Sequence, residues 1–212
     1  MSFTQSPTAC WSPEPRRQYP MRAAPSFSRL QVHRRDDDRR DEIEWFVADI
    51  YRRHFDARLT QFMPVLASRS IDGQPCAAAG YRSAAEPLFL ERYLTEPIDR
   101  LLSRATGRTV ARDDVVEIGQ FAARYPGDGR GLMPELAQHL VDSGFRWAVI
   151  TATSQLRRLL RHQRLSALPI GVAEPHRLGD EARCWGSYYR HAPRVLAGDL
   201  VASLACLRRG RR

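Results

Sequence analysis

A glutamate within an apolar run, followed by a glycine-rich loop, marks the stretch of this sequence best suited to chemistry. Glu117 lies between Val116 and Ile118, and partial burial in such a run raises the pKa of a carboxyl group. A carboxylate of this kind can take the proton from an amine, which transfer of an acyl group to nitrogen requires. The alternative is an outward-facing strand glutamate that pairs with an arginine. Glu117 is therefore the candidate general base.

The loop after this run offers backbone amides to an anion. Gly127, Gly129 and Gly131 free the backbone to turn tightly just before a helix N-terminus, which favours negative charge. Arg124-x-x-Gly127-x-Gly129 resembles the R/Q-x-x-G-x-G/A loop with which GCN5-related acetyltransferases hold the pyrophosphate of coenzyme A. The residues expected at this cofactor are Phe121, Arg124, Gly127, Gly129, Arg130 and Gly131. A plain surface turn is the alternative, because glycines beside proline and aspartate are typical of turns and Asp128 would lie near the phosphates.

Two strands and a helix must position these groups. Val115, Val116 and Ile118 predict a strand over residues 115–121. The apolar spacing that follows predicts a helix over 132–143, which Gly144 ends, and a second apolar strand over 147–152. This order implies a parallel crossover, with the loop at the carboxyl end of the first strand, where ligands usually bind.

Composition predicts a globular protein with a basic surface. The 212 residues are 43% hydrophobic, which suffices for one domain with a core. Lys and Arg number 33 against 24 Asp and Glu, so the net charge of +9 favours an acidic partner: nucleic acid, anionic lipid, a phosphorylated cofactor or an acidic carrier protein. The four scattered cysteines indicate neither a metal site nor a disulfide framework, and reduced thiols in a cytoplasm are the simplest interpretation. No apolar run approaches the ~20 residues of a membrane helix, and no signal peptide is evident.

The rest of the chain predicts a single domain between two termini of biased composition. Residues 1–27 contain five prolines and predict a disordered leader, residues 28–207 the domain, and residues 208–212 a basic tail. Further predicted elements are a strand near Leu30, a helix from Asp41 to Phe55, a hairpin of residues 62–67 and 77–82 around Asp72-Gly73, a helix from Thr95-Glu96-Pro97 to Gly107, and strands at 168–172 and 195–204.

A helix after the second central strand separates leucines from arginines. Ser154 suits its N-cap, and three leucines form its apolar face. The opposite face carries Arg157, Arg158, Arg161 and Arg164. A solvated face is the default interpretation of such charges. Four arginines with no acid among them also form a candidate docking surface for an acyl-carrier protein.

Several stretches together resemble the thermostable hemolysin family of bacterial proteins. They occur in order over roughly residues 43–200: AGYR (79–82), LFLERYLTEPI (88–98), VVEIGQFA (115–122), GFRWAVITAT (144–153), LRRLL (156–160), WGSYY (185–189) and AGDL (197–200). The resemblance implies an α/β, acetyltransferase-type (GNAT-like) fold: a mixed twisted sheet flanked by helices. This fold is distantly similar to that of the acyl-homoserine lactone synthases. Those enzymes share a small-residue strand that ends in arginine, like Gly80-Tyr81-Arg82, and a strand glutamate shortly before an aromatic residue, like Glu117 before Phe121. Their tryptophan-rich N-terminal signature is missing from this chain, so lactone synthesis itself is not expected.

The resemblance also suggests roles for other residues. Tyr188 or Tyr189 is the candidate acid for the departing thiolate, because tyrosine fills that role in many acetyltransferases; packing alone is the alternative. Arg82, Glu91 and Thr151 lie in the shared stretches and are expected to contact the substrate. Arg82 would hold an acidic acceptor or a carrier phosphate, with a structural ion pair as the alternative.

The sequence therefore predicts an N-acyltransferase without a tightly bound cofactor. Its donor would be acyl-CoA or the phosphopantetheine of an acyl-carrier protein, and its acceptor a small amine or an amino-acid-like molecule. The product could be a signal or a secondary metabolite. One alternative is a membrane-lytic protein, although lysis could also be indirect, through an acylated amphiphilic product. A basic nucleic-acid-binding module is a third hypothesis, but the sequence contains no helix-turn-helix, zinc finger or ribonucleoprotein pattern.

Overall fold

The computed structural model describes residues 26–125 and 127–209, which form one mixed sheet with helices on both faces. The strands are β1 (Gln31–His33), β2 (Val65–Ile71), β3 (Gln74–Ser83), β4 (Val115–Ala123), β5 (Trp147–Ala152), β6 (Leu168–Val172) and β7 (Arg194–Asp199). The helices are α1 (Arg40–Phe55), α2 (Ile98–Thr106), α3 (Asp128–Asp142), α4 (Ser154–His162) and α5 (Leu200–Arg209). Short 3-10 helices occur at Leu90–Tyr93, Arg112–Asp114, Pro175–Trp185 and Tyr188–His191. The predicted fold class is confirmed.

The sheet divides at its centre. Its strand order is β1-β2-β3-β4-β5-β7-β6, and all neighbours are antiparallel except β4 and β5. These two central strands are joined through α3, so the predicted parallel crossover is confirmed. Their register ends at Ile118 and Ile150. Beyond that point β4 stays paired with β3 as far as Ala123, and β5 stays paired with β7 as far as Ala152. The two halves of the sheet therefore separate at the carboxyl ends of β4 and β5.

Different elements cover the two faces of the sheet. On the face that we call the helical face, α3 and α5 pack through residues such as Leu140 and Leu204 onto Val116. On the opposite, aromatic face, α1 and the 3-10 helices bring Tyr51 and Tyr188 over the sheet. Successive strand residues point to alternate faces, so each strand contributes to both cores.

Helix α3 begins earlier than the sequence predicts. Gly129 and Gly131, expected in a tight loop, lie in its first turn, and Gly127 precedes it with an ordinary φ of −84°. Close packing explains two of these glycines. A Cβ on Gly129 would lie 2.9 Å from the Phe121 ring, and one on Gly131 would collide with the guanidinium of Arg69. Gly129 and Gly131 therefore serve side-chain packing rather than a tight loop, whereas nothing lies within 4 Å of a Cβ built on Gly127.

Three other boundaries differ from prediction. Strand β2 begins at Val65 rather than Phe62, because the preceding Pro64 has no N–H to donate to a ladder. The predicted strand 195–204 is β7 followed by α5: the side chain of Asp199 accepts the Ala202 N–H at 3.0 Å and starts a helix. A continuous apolar run cannot distinguish these two elements. The N-cap of α4 is Thr153 rather than Ser154; its Oγ1 accepts the Leu156 N–H at 3.3 Å.

The predicted terminal segments fall only partly within the described residues. Residues 1–25 of the predicted leader and 210–212 of the predicted tail lie outside them. Residues 26 and 27 contact the β2–β3 hairpin: Ser26 exchanges hydrogen bonds with Asp72, and Phe27 lies beside Arg69, whose guanidinium carbon is 5.7 Å from its ring centroid. Helix α5 extends to Arg209. Among the described helices, none combines the length and apolarity needed to cross a membrane.

Candidate active site

A cavity of about 740 Å³ opens where β4 and β5 separate, and it reaches both faces of the sheet. On the aromatic face its wall includes Glu117, Arg82 and Thr151. On the helical face the wall is largely aliphatic, with Leu136 of α3 and Leu200 of α5 among its residues. The separation of the strands therefore joins a polar, aromatic chamber to an apolar one.

Glu117 lies in the wall of the aromatic chamber and is only 3% exposed. Its Oε2 accepts the Phe89 N–H at 2.8 Å and its Oε1 accepts the Leu90 N–H at 3.0 Å, so it anchors the start of the 3-10 helix Leu90–Tyr93. Burial raises the pKa of Glu117 to about 7, although these two hydrogen bonds and the charge of Arg82 oppose the rise. Each carboxylate oxygen retains a lone pair. The group can thus both support the fold and exchange a proton near neutral pH.

Arg82 and Thr151 lie beside Glu117, and Glu91 does not. Arg82 is the cross-strand partner of Glu117 and lines the cavity. It donates to the Pro87 carbonyl at 3.0 Å but forms no ion pair within the described residues. The buried Thr151 hydroxyl also has no hydrogen-bond partner there. These two residues carry polar groups that the protein itself leaves unused.

Glu91, predicted to contact the substrate, is part of a structural ion pair outside the cavity wall. Its carboxylate accepts from both terminal nitrogens of Arg112, at 2.7 and 3.1 Å. It also accepts the backbone N–H groups of Leu88 and Ile98. Burial opposes ionisation of Glu91, but these hydrogen bonds and the charge of Arg112 hold its pKa below the usual value. The carboxylate already accepts four hydrogen bonds, so we no longer count Glu91 among the candidate substrate-binding residues.

The structure distinguishes the two candidate tyrosines. Tyr188 lines the cavity, and its hydroxyl donates to the Thr151 carbonyl at 3.1 Å. Burial raises its pKa well above the usual value, so it is a neutral hydroxyl at physiological pH. Tyr189 lies outside the cavity wall, and its hydroxyl is 2.7 Å from that of Tyr93. Tyr188 is therefore the better placed of the two.

Two of the six predicted cofactor residues line the cavity: Phe121 and Arg130. Arg124 instead donates to the Pro75 carbonyl at 2.6 Å. Asp128 accepts the Tyr125 N–H at the start of α3, so a carboxylate already occupies part of this helix N-terminus. Gly127, Gly129 and Gly131 lie outside the wall. The loop as predicted is not assembled around the cavity.

Helix α4 forms a wall of the apolar chamber. Its three leucines, Leu156, Leu159 and Leu160, line the cavity, and none of them is fully buried. Arg158 and Arg161 are exposed. Arg164 is exposed too, but it lies beyond the end of the helix at His162 and not on the predicted helical face. Arg157 is different, because it donates to the carbonyls of Ala152 and Ala192 and so ties α4 to the ends of β5 and β7. Only three of the four predicted docking arginines are therefore available at the surface.

Sequence reasoning missed the segment between α1 and β2. Residues 58–63 line the cavity, and Met63 lies against the sheet beside Gly119. Sequence reasoning also missed Gln120, whose side chain contacts this segment, and Trp185, whose ring lies 5.2 Å from that of Tyr188 in the aromatic wall at an interplanar angle of 50°. The one signal in the sequence for a non-strand segment here was Pro64, which has no N–H to donate to a neighbouring strand.

Comparison with known proteins identifies the family of this chain. The model of the thermostable hemolysin family matches residues 33–204, and the protein belongs to that family. This confirms the resemblance found in the sequence. A search of curated proteins gave no match.

Solved structures share the fold at low sequence identity. The acyl-homoserine lactone synthase LasI superimposes with a TM-score of 0.59 and 14% identity over 84% of this chain and 91% of its own. FeeM, an N-acyl amino acid synthase from uncultured soil microbes, gives a TM-score of 0.59 and 12% identity over 85% and 94%. The CoA-dependent acyl-homoserine lactone synthase MesI gives 0.54 and 14% over 86% and 94%. These likenesses confirm the GNAT-like fold that the sequence predicts.

Proposed function

We propose that this protein is an N-acyltransferase that moves an acyl group from an acyl thioester to a small amine or amino-acid-like acceptor. The observation that carries the proposal is the position of Glu117: a buried carboxyl group with a pKa of about 7, in the wall of a cavity that opens between the separated strands β4 and β5. LasI, MesI and FeeM are synthases of acylated products with the same fold. A cytoplasmic location is part of the same proposal.

The acceptor would bind in the aromatic chamber. Glu117 acts as the general base only if the amine comes within hydrogen-bond distance, about 2.6–3.2 Å or through one water. This places the amine on the face that carries Glu117. Arg82 would bind an anionic group of the acceptor, since it lines that chamber without an ion pair among the described residues and its buried Nε has no hydrogen-bond partner there. The Thr151 hydroxyl lies in the same wall and supplies a second polar contact.

The donor would place its acyl chain in the apolar chamber. Leucines of α4 and α5 line that chamber, and burial of a hydrocarbon chain there is favourable in proportion to the apolar area removed from water. The thioester would then lie between the separated strands, within reach of both chambers. Tyr188 would donate a proton to the departing thiolate, which requires its hydroxyl to exchange the Thr151 carbonyl for the sulfur.

Cations on the cavity wall favour a phosphate-bearing donor. Arg58, Arg130 and Arg158 line the cavity and are exposed. The acids in this wall are Glu117, which is buried, and Glu181, which pairs with Arg92 at 2.6 Å. Coenzyme A and phosphopantetheine both carry phosphates that such arginines bind. An acidic acyl-carrier protein would additionally contact Arg158, Arg161 and Arg164 of the α4 region.

The direct test is detection of an amide product. The protein would be incubated with acyl-CoA donors of several chain lengths and a panel of amino acids and amines, with free thiol measured optically and the amide identified by mass spectrometry. We expect thiol release that depends on the acceptor, together with an equal amount of amide. Glu117→Gln serves as the paired variant. Absence of amide with every donor, including acyl-carrier proteins, would refute the proposal.

No observation on the described residues favours direct membrane lysis or nucleic-acid binding. An acylated amphiphilic product would connect acyl transfer with the lytic name of the family. A lysis assay on the purified reaction products, with protein removed, tests this connection.

A further inference from the structure

Gln120 lies at an irregularity in β4, next to the point where the sheet divides. Its φ is +52°, in the left-handed region that residues with a Cβ rarely adopt. The register between β3 and β4 shifts opposite it, between Ala78 and Gly80, as in a β-bulge. Strained backbone of this kind persists only where the surrounding contacts hold it, and it is concentrated at functional sites.

The side chain of Gln120 holds the segment that precedes β2. Its Oε1 accepts the Met63 N–H at 2.9 Å, and its Nε2 donates to the Gln61 carbonyl at 2.8 Å. The amide thus binds two backbone groups that no strand satisfies, since β2 begins only at Val65. On the other side, the Arg40 guanidinium donates to the Met63 carbonyl at 2.6 Å. Met63 is therefore fixed from both directions.

Met63 reaches the sheet surface beside Glu117. A Cβ on Gly80 would lie 2.5 Å from the Met63 Cβ, and one on Gly119 would lie 2.5 Å from its Cε. The methionine therefore fills a notch that two glycines leave open. Gly119 follows Glu117 by two residues along β4, and Met63 and Glu117 both line the cavity. Met63 thus forms the part of the wall over the Gly80–Gly119 pair, which is next to the Arg82–Glu117 pair along the two strands.

We propose that Gln120 is a positioning residue which, through Met63, sets the wall that holds the acceptor amine against Glu117. The inference rests on the proposed acyltransferase function and adds a residue to it. Gln120 itself lines the cavity, but both ends of its side-chain amide are bound to the backbone of residues 61 and 63, and neither bonds to the Glu117 carboxylate. Its loss should therefore impair use of the acceptor and leave donor binding intact.

The test compares Gln120→Gly with the wild type. Glycine accepts a positive φ without strain, so the variant removes the side chain and its two hydrogen bonds without straining the backbone. With octanoyl-CoA and the best amino-acid acceptor of the wild type, the acceptor KM should rise about tenfold or more, as expected for a misplaced reactant. The donor KM should change less than about twofold, and the share of thioester lost to hydrolysis should increase. Gln138→Ala, at a half-buried glutamine of α3 that lies outside the cavity wall, is the matched control.

A second variant tests whether Gln120 acts through Met63. Met63→Ala should raise the acceptor KM on its own, and Gln120→Gly should add little in that background, because coupled residues give non-additive effects. Faster hydrogen exchange at the Met63 amide in Gln120→Gly would report the lost hydrogen bond independently of activity. If Gln120→Gly proves unstable, Gln120→Asn replaces it, since asparagine tolerates the left-handed region but its amide is too short to reach both partners.

The outcomes separate this inference from the proposed function. If the wild type forms an amide and Gln120→Gly keeps its acceptor KM, or shifts the KM of donor and acceptor equally, the positioning role is wrong and the acyltransferase stands. Fully additive effects of the two variants would likewise overturn it. If the wild type forms no amide with any donor, the proposed function fails, and this inference fails with it.

Discussion

At the scale of single residues, the structure gives Glu117 two tasks. Its carboxylate binds the amides of Phe89 and Leu90, and the same burial that makes these bonds necessary raises its pKa to about 7. A carboxyl group with this pKa is about half ionised at neutral pH. A general base must be ionised to accept a proton. The burial that accompanies the structural role of Glu117 therefore also sets the pH range in which it can act as the base.

The rate prediction follows from that ionisation. Turnover of the wild type should rise with pH through about 7 as Glu117 loses its proton. Glu117→Gln should lower turnover by about a hundredfold or more, the usual contribution of a general base, and remove this inflection. Measuring kcat between pH 5.5 and 8.5 at saturating donor tests both points. A variant with wild-type turnover and stability would reduce Glu117 to its structural task.

The same residue predicts a dependence of stability on pH. The folded-state pKa of about 7 lies above the ordinary value of 4.5. The folded state thus binds the proton of Glu117 more tightly than the unfolded state does. The contribution of this proton to the free energy of unfolding is complete below pH 4.5 and is lost as the pH rises through 7. The difference corresponds to at most roughly 3.5 kcal/mol, at ~1.4 kcal/mol per pKa unit.

Urea unfolding at pH 5 and pH 8 measures this effect. The free energy of unfolding should fall between these values by about 2–3 kcal/mol more in the wild type than in Glu117→Gln, because all other groups titrate equally in both proteins. Equal changes in the two proteins would show that the pKa of Glu117 is not raised.

At the scale of elements, α4 has two faces with different proposed partners. Its leucines line the apolar chamber. Arg158 lines the cavity and is also exposed, and Arg161 is exposed outside the cavity wall. Arg157 belongs to neither face, because it binds backbone carbonyls at the ends of β5 and β7. The arginines of one short helix thus separate into a structural member and exposed members.

Charge reversal distinguishes a carrier protein from free coenzyme A as the donor. Arg161→Glu together with Arg164→Glu should weaken binding of an acyl-carrier protein by about tenfold or more at low salt, mostly through the association rate. Activity with acyl-CoA should change little. Arg157→Glu is the contrasting variant, expected to lower the melting temperature and both activities. Equal loss with both donors in the double variant would contradict carrier docking here.

At the scale of the whole molecule, two residues of the predicted leader contact the folded domain. Ser26 and Phe27 already contact the β2–β3 hairpin. The proline-rich composition of residues 1–25 offers few large apolar side chains to offset the ordering entropy of roughly 1–2 kcal/mol per residue. The two parts of the predicted leader should therefore differ in their effect on stability.

Two truncations test this boundary. Deletion of residues 1–25 should leave the melting temperature within about 2 °C of the wild type. Deletion of residues 1–27 should lower it by a further ~2–4 °C, the equivalent of about 1 kcal/mol for a domain of this size, because the Phe27 contact is lost. Thermal unfolding followed by circular dichroism measures both shifts. A large loss on the shorter deletion would show that residues 1–25 stabilise the domain.

The sequence by itself determined the elements whose signals are local. Apolar periodicity predicted the central strands, the helix between them and their parallel crossover, because each signal spans only a few residues. An acid inside an apolar run identified Glu117. The prediction of a tight loop at residues 127–131 was wrong, because glycine occurs both in tight turns and where side chains pack closely. Only the Phe121 ring beside Gly129 and the Arg69 guanidinium beside Gly131 distinguish the two cases.

The tertiary structure alone decided which residues share the site. Glu91 and Glu117 look alike in sequence, but Arg112 saturates the first and a cavity borders the second. Gln120 and Met63 lie 57 residues apart, and no local pattern reports their contact. The division of the sheet depends on where β4 and β5 cease to pair, which is a property of two strands joined through a helix. Such contacts arise only when distant segments pack, and they determine the shape and chemistry of the cavity.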